Sequence, residues 1–368
     1  MENINRYPAH RRGTEPGILN LESMKTPSSL GYHMPAEWAK QEAVWLSWPH
    51  NEITWPGKKM ARVWDTYLQM LEALLPYQKV KLLLSPKLKE QVLKFLKPKL
   101  SLKSLNNLIF VEVPTVDTWI RDYGPTFVVK KGSKAWVKWI FNAWGGKYMD
   151  LAQDTHIFEN KKLIPYSCFD SGIVLEGGSI EVNGAGVCMT SEQCLLNKNR
   201  NPELLQIEIE RYLQEYLGVS QVLWLNQGVE GDDTDGHIDD IARFTDEKTI
   251  VAVYEDDESD DNHIILRENW ERLQAAETPQ GKKWNLVKLP MPEPVEDNGF
   301  RLPASYANFL ISNGTVLLPV FECKQDKAAV KIIQELFPKK EVVPISCRTL
   351  VYGLGTIHCV SQQEPASA

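Results

Sequence analysis

Four times along the chain, two runs of β-branched and aromatic residues flank a tight-turn signal. They span 126–141 around Gly132, 173–190 around Asn183-Gly184, 241–254 around Asp246 and 306–321 around Asn313-Gly314. Asn-Gly between such runs is a strong hairpin signal, because both residues tolerate positive φ. The turn centres recur at roughly 50- to 70-residue intervals, a spacing that suggests repetition. Between the hairpins the apolar period changes to that of a helix. Over 59–75, Val63, Tyr67, Met70, Leu71 and Leu74 form one stripe that ends at Pro76. A second helix is predicted over 203–217, between Pro202 and Gly218, and a third after Asp326 as its cap. Apolar strands follow at 79–84, 219–225 and 341–345. The unit is hairpin, helix, strand, and about five such units fit the length. On periodicity alone, a two-layer α/β protein with one mixed sheet stays open.

Composition changes this picture little. Of the 368 residues, 43% are hydrophobic and 24% charged, a balance suited to a large buried core. A net charge of -7 argues against nucleic acid as a partner, and no apolar run is long enough to span a membrane. Residues 1–28 are polar and proline-punctuated and read as a flexible or surface-draped tail. The stretch 29–365 reads as a single catalytic domain and 366–368 as a short C-terminal tail. The acidic run 255–261 reads as a solvated loop. Six scattered cysteines without a CxxC pair, and no apolar leader, predict a cytoplasmic protein with free thiols.

Four segments combine glycine turns with ionisable residues: 117–125, 175–179, 231–240 and 353–359. Cys359 follows a glycine-rich turn and a histidine, a setting that suits a nucleophilic thiol. The other five cysteines read as small apolar residues. If extended, His237-Ile238-Asp239 places an imidazole and a carboxylate on one face, fit for proton transfer and cation binding. A calcium loop through Asp233 and Asp235 fails, because its ends fall on Gly231 and Ala242. Zinc lacks a second His or Cys at ligand spacing, so metal is the weaker option. Taken alone, Asp122 and Glu176 read as turn formers or ion-pair partners. Trp119 and the Gly177-Gly178 pair, which admits a closely approaching ligand, mark them as candidates. His358 would face away from the thiol and is not its direct partner. The remaining histidines are ordinary.

Together these segments resemble the agmatine deiminases and bacterial peptidylarginine-deiminase-type enzymes of the guanidine-modifying pentein superfamily. The similarity runs from about 35 to 365 and includes MPAEW at Met34, TWIRDYGP at Thr118 and FNAWGG at Phe141. It continues through LEGGSIEV at Leu175, CLLNKNRNP at Cys194, TDGHIDD at Thr234, ASYANF at Ala304 and GTIHCVSQQ at Gly355. The resemblance implies an α/β propeller of five ββαβ-type modules with pseudo-five-fold symmetry. Residue by residue, it makes Cys359 the nucleophile and His237 the general acid and base. It gives Asp122 and Asp239 the guanidinium, Glu176 the support of His237 or substrate, and Trp119 a pocket wall. The implied reaction is hydrolysis of agmatine to N-carbamoylputrescine and ammonia through a Cys thiouronium, towards putrescine, with no cofactor or metal. Peptidyl arginine or another guanidine is the alternative substrate, and a non-enzymatic guanidine or polyamine binder the rival of another class. A homodimer is among the assemblies open to it. The chain departs from the family pattern at Tyr123, at Lys147-Tyr148 and at Gly353-Leu354-Gly355-Thr356, positions that bear on which guanidine is taken.

Overall fold

Each predicted hairpin forms in the computed structural model, and each acquires a third strand in parallel. The structure describes residues 25–160 and 162–367. Most of the expected N-terminal tail, 1–24, lies outside them; within the rest, Thr26 is buried and donates to Glu215. The hairpin strands Thr126–Lys130 and Ser133–Ile140 are joined by Ser167–Val174, and Glu181–Val182 and Val187–Ser191 by Gln221–Leu225. Ala242–Phe244 and Thr249–Tyr254 gain Asn285–Pro290, and Leu310–Ile311 and Thr315–Val320 gain Glu341–Ser346. A small ribbon, Glu296–Asp297 with Phe300–Arg301, stands apart from these sheets.

The remaining sheet follows the same rule with partners from opposite ends of the chain. Gln41–Ser47 runs parallel to Lys79–Leu84, which pairs in turn with Leu108–Glu112. Its antiparallel partner is Ser361–Pro365, in a register that sets Ala43 opposite Glu364 and Leu46 opposite Ser361. No local turn signal could announce this pairing. It carries Cys359, two residues before the last strand, into the middle of the molecule.

The helices follow their stripes with shifted ends. Lys58–Leu74 buries all five predicted stripe residues. Gln206–Leu217 ends as expected on Gly218, at φ 69°, but starts after the predicted proline: Glu208 accepts from the Leu205 amide and begins the helix there. In Asp326–Leu336 the acid is the first helical residue. Its carboxylate accepts from the Phe321 and Cys323 amides and from the Tyr306 hydroxyl, which folds the approach to the helix. The periodicity overlooked Asn262–Ala275, whose polar residues dilute its apolar stripe. The acidic run before it is mainly exposed.

The closing strand is held by charge as well as by its ladder. Glu364 is fully buried and accepts from Lys134 Nζ (2.7 Å), Lys81 Nζ (2.6 Å) and Trp45 Nε1 (2.8 Å). Burial alone raises a carboxyl pKa, yet the two ammonium groups hold Glu364 below its ordinary value. Glu364 therefore contributes stability that is present above its unfolded value of 4.5 and is lost as pH falls below it. Replacing Glu364 by Ala leaves the Lys134 side chain, with no exposed surface, without its buried carboxylate. Urea denaturation at pH 7 is expected to show a loss of about 3–5 kcal/mol, and the difference from wild type should narrow in acid.

Candidate active site

The turn that bears Cys359 is clamped from the side by the segment that bears Asp122. Asp122 belongs to the single helical turn Ile120–Tyr123. Its neighbour Arg121 donates from its amide to the Cys359 carbonyl (3.2 Å), from Nε to the His358 carbonyl (3.3 Å) and from Nη1 to the side chains of Gln362 and Gln363. The Arg121 carbonyl occupies the space a Cβ on Gly177 would need, so glycine there permits the close approach. His237 and Asp239 are not on a strand, as their spacing suggested. They flank the start of a 3-10 turn, Ile238–Asp240. Asp232 shapes that turn by accepting from the amides of Thr234, Gly236 and His237, which accounts for the calcium-loop look of the segment.

At the floor of the site, Cys359 Sγ lies 3.1 Å from Asn308 Nδ2 and 3.9 Å from Asp239 Oδ2. The orientation of Asn308 is fixed: its Oδ1 accepts from Thr356 Oγ1 (2.7 Å) and the His358 amide (3.0 Å), which turns the NH2 towards sulfur. Asp239 Oδ2 meets His358 Nδ1 at 2.6 Å, and His358 Nε2 meets Glu37 Oε2 at 2.7 Å. Glu37 is backed by Arg243 at 3.0 Å and by the Ile311 amide. His358 thus holds Asp239 and leaves the thiol alone, as its alternation predicted. Among the described residues, Asp239 Oδ1 has no hydrogen-bond partner. Burial, then Asp239, Asp240 and Asp122, push the Cys359 thiol well above the ordinary value. Burial opposes ionisation of Asp239 too, but His358 outweighs it and lowers its pKa.

Asp122 and Glu176 face the two nitrogens of His237. Nδ1 is 3.7 Å from Asp122 Oδ1 and Nε2 is 4.0 Å from Glu176 Oε2, both beyond hydrogen-bond reach. Asp122 accepts from Trp144 Nε1 (2.9 Å) and the Gly178 amide (3.0 Å). Trp144 itself sits in the left-handed region, at φ 53°, a strained backbone that aims the indole at the carboxylate. Burial, Asp239 and Glu176 raise Asp122 well above a normal carboxyl. Glu176 is raised by burial despite its 2.8 Å bond from Arg200. Burial takes His237 down to about 3. At neutral pH this imidazole is therefore uncharged.

The floor opens into a cavity of about 720 Å³ that reaches Cys359 and Asp122. Trp119 walls it, backed by the fully buried Trp55 at a ring-centroid distance of 5.6 Å, and Gly353 and Gly355 lie where any Cβ would strike these rings. Leu354 between them adopts φ 68° and also lines the cavity. The lining carries five carboxylates, Glu52, Asp117, Asp122, Asp150 and Asp233, against one ammonium, Lys147. Lys147 is occupied by Asp235 (2.8 Å) and the Asp233 carbonyl (2.6 Å), and the Tyr148 hydroxyl also donates to Asp233.

All six predicted residues, Cys359, His237, Asp122, Asp239, Glu176 and Trp119, are thereby gathered around one cavity or its buried floor. Sequence reasoning did not single out Asn308, Trp144, Arg200, Glu37 or Asp240. Four of these lie inside the quoted motifs ASYANF, FNAWGG, CLLNKNRNP and MPAEW, and Asp240 ends TDGHIDD, so the signal was present at segment level only.

A thiol, an imidazole and a ring of carboxylates below an acidic cavity form a thiol-dependent site for a cationic ligand, in an α/β protein of mixed sheets. Comparison with known proteins specifies it further. The Porphyromonas-type peptidyl-arginine deiminase family model matches residues 33–365, and the chain belongs to that family. An agmatine deiminase of Pseudomonas aeruginosa is 36% identical, with 93% of this chain and 97% of that one covered. The agmatine deiminase structure of Enterococcus faecalis superposes with a TM-score of 0.85 at 30% identity, over 94% of this chain and 99% of that one. A C. jejuni agmatine deiminase structure with substrate bound gives 0.80 at 32% identity, over 91% and 97%.

One position tests the geometry directly. A Cβ on Gly178 would stand 2.5 Å from His237 Nδ1 and 2.9 Å from Asp122 Oδ1. Gly178→Ala is expected to lower kcat/KM for the deimination proposed below by about 100-fold, while the far-UV circular dichroism stays that of wild type.

Proposed function

We propose that this protein hydrolyses agmatine to N-carbamoylputrescine and ammonia, a step towards putrescine, as a hydrolase of C–N bonds in linear amidines. The observation that carries the reading is the charge of the cavity: among the described residues its lining holds five carboxylates, one committed ammonium and no arginine. Agmatine is a dication. Arginine brings a carboxylate that such a wall repels. The five sheets of shared pattern support a single catalytic domain over 29–365, arranged as a pentein propeller of five modules. The six cysteines, none in a disulfide, fit a reducing, cytoplasmic setting. Among the described residues, no helix is long and apolar enough to cross a membrane.

The chemistry follows from the resting protonation. The empty site holds a protonated Cys359 and a neutral His237. A guanidinium is planar and permanently charged, and Asp122 with the unpartnered oxygen of Asp239 can take it by charge-assisted hydrogen bonds. Its charge offsets the carboxylates that hold the thiol up, so the thiol proton passes to His237 and the sulfur attacks the guanidinium carbon. Asn308 Nδ2–H stabilises the anion before attack. The imidazolium then protonates the departing nitrogen, a C–N bond breaks, and ammonia leaves. Water attacks the thiouronium as His237 takes one of its protons; the C–S bond breaks, His237 returns that proton to sulfur, and the hydroxyl proton is lost to solvent, where it converts the released ammonia to ammonium, as the neutral ureido product leaves. Glu176 supports His237 throughout, itself anchored by Arg200.

A 720 Å³ cavity also has room for the neighbours of a peptidyl arginine, which makes that substrate the second reading. Ammonia release should be fastest from agmatine, with free arginine and a blocked arginine peptide at least about tenfold lower in kcat/KM; preference for the peptide would reverse the assignment. Cys359→Ser is expected to abolish turnover yet retain agmatine binding in calorimetry. The raised thiol makes a further prediction. Iodoacetamide labelling of Cys359, followed by peptide mass spectrometry, should keep rising with pH beyond the ordinary thiol range near ~8.5, and a non-reactive alkylguanidinium should bring the rise to lower pH.

A further inference from the structure

Behind His237, on the side away from the cavity, two buried polar atoms are left without partners among the described residues. They are His237 Nε2 and Glu176 Oε2, on side chains 1% and 0% exposed. They stand 4.0 Å apart, too far to bond each other. A third donor completes the group: the sulfur of Cys194 lies within 4.8 Å of a ring nitrogen of His237 and of a carboxylate oxygen of Glu176, and Cys194 is fully buried.

We infer that Glu176, Cys194 and His237 form a zinc-binding site whose occupation switches the enzyme off. A thiolate, an imidazole and a carboxylate are the ligand types of tetrahedral zinc sites that keep one position for water. Bonds of 2.0–2.3 Å place tetrahedral ligand atoms about 3.3–3.8 Å apart, so the three donors need only a small contraction. The frame is stiff. The Ser191 hydroxyl accepts from the Cys194 amide and donates to the Gly236 carbonyl, next to His237. Arg200 bonds only the other oxygen of Glu176, so Oε2 stays available. On binding, Cys194 gives its thiol proton to solvent as the Zn–S bond forms, and no electron changes hands. Zinc on Nε2 takes the imidazole out of proton transfer. That consequence rests on the role proposed for His237, whereas the site itself does not.

Zinc also has a rival location in the substrate floor, where Asp239, Asp240 and Cys359 come equally close. There the open Asp239 oxygen has a use in holding guanidinium; behind His237 no substrate group reaches.

The test uses full-length protein in a non-chelating buffer without thiols. Cys359→Ser protein is expected to retain one zinc per chain after gel filtration and, with cobalt, to show a thiolate charge-transfer band. Adding Cys194→Ser should abolish the band and weaken zinc by more than the ~10-fold that an outer-shell change costs. Should that double variant misfold, Glu176→Gln in the Cys359→Ser background is expected to weaken zinc likewise. In the activity arm, micromolar zinc should inhibit wild type reversibly, EDTA restoring turnover, while Cys194→Ser keeps its basal rate and resists. No zinc on Cys359→Ser protein, or equal inhibition of Cys194→Ser and wild type, overturns the inference; the latter puts the ion on the substrate floor. Zinc held through Cys194 in a protein that deiminates no guanidine would instead overturn the proposed function and leave the site standing.

Discussion

Negative charge gathered in a dry place is the constraint around which the site is organised. Asp122, Glu176, Asp239, Asp240 and Glu37 are all buried within a few side chains of one another. Left to themselves, such groups take up protons or unfold the protein. The fold answers each in its own way. Glu37 has Arg243, Arg121 and His358; Glu176 has Arg200; Asp239 has His358 on one oxygen. Among the described residues, Asp122 accepts hydrogen bonds from an indole and an amide, and the second oxygen of Asp239 accepts none. A planar guanidinium, the ligand proposed above, matches these two acceptors in charge and shape.

The same electrostatics bears on Cys359, whose thiol sits among acids. Burial, and after it three carboxyl groups, hold its thiol well above the ordinary value. In the reaction proposed above, the cation that needs the thiolate is also the charge that releases it. Asn308 contributes a neutral donor whose direction is set by three groups of the Cys359 turn, so sulfur and donor move as one piece.

Support for the reacting groups comes from far along the chain. The last strand pairs with the first, Glu364 ties it to the strands Lys79–Leu84 and Ser133–Ile140 through Lys81 and Lys134, and Arg121 pins the turn that precedes it. Joining ends more than three hundred residues apart carries a loop-closure cost that grows only slowly with length. The buried ion pairs and the ladder to Gln41–Ser47 hold the result.

Much of this was written locally. Hairpins around Asn-Gly, the stripe ending at Pro76 and the helix stop at Gly218 follow from φ preferences and periodicity that act over a few residues, and the eight motifs were readable as a resemblance to a known family. So the repeating unit, the chemistry-bearing segments and the six candidate residues were legible in the sequence. Three-dimensional contact decided the rest. The spacing of His237 and Asp239 suggested a strand face, but Asp232 closed the segment into a turn. Asp240 and Asn308 gained their places only once sheets distant in sequence met. Protonation states belong to the same class: burial and neighbouring charge, not residue type, take His237 to about 3 and raise Cys359. A sequence specifies which groups a chain carries, and only packing fixes how much water and which charges each one sees.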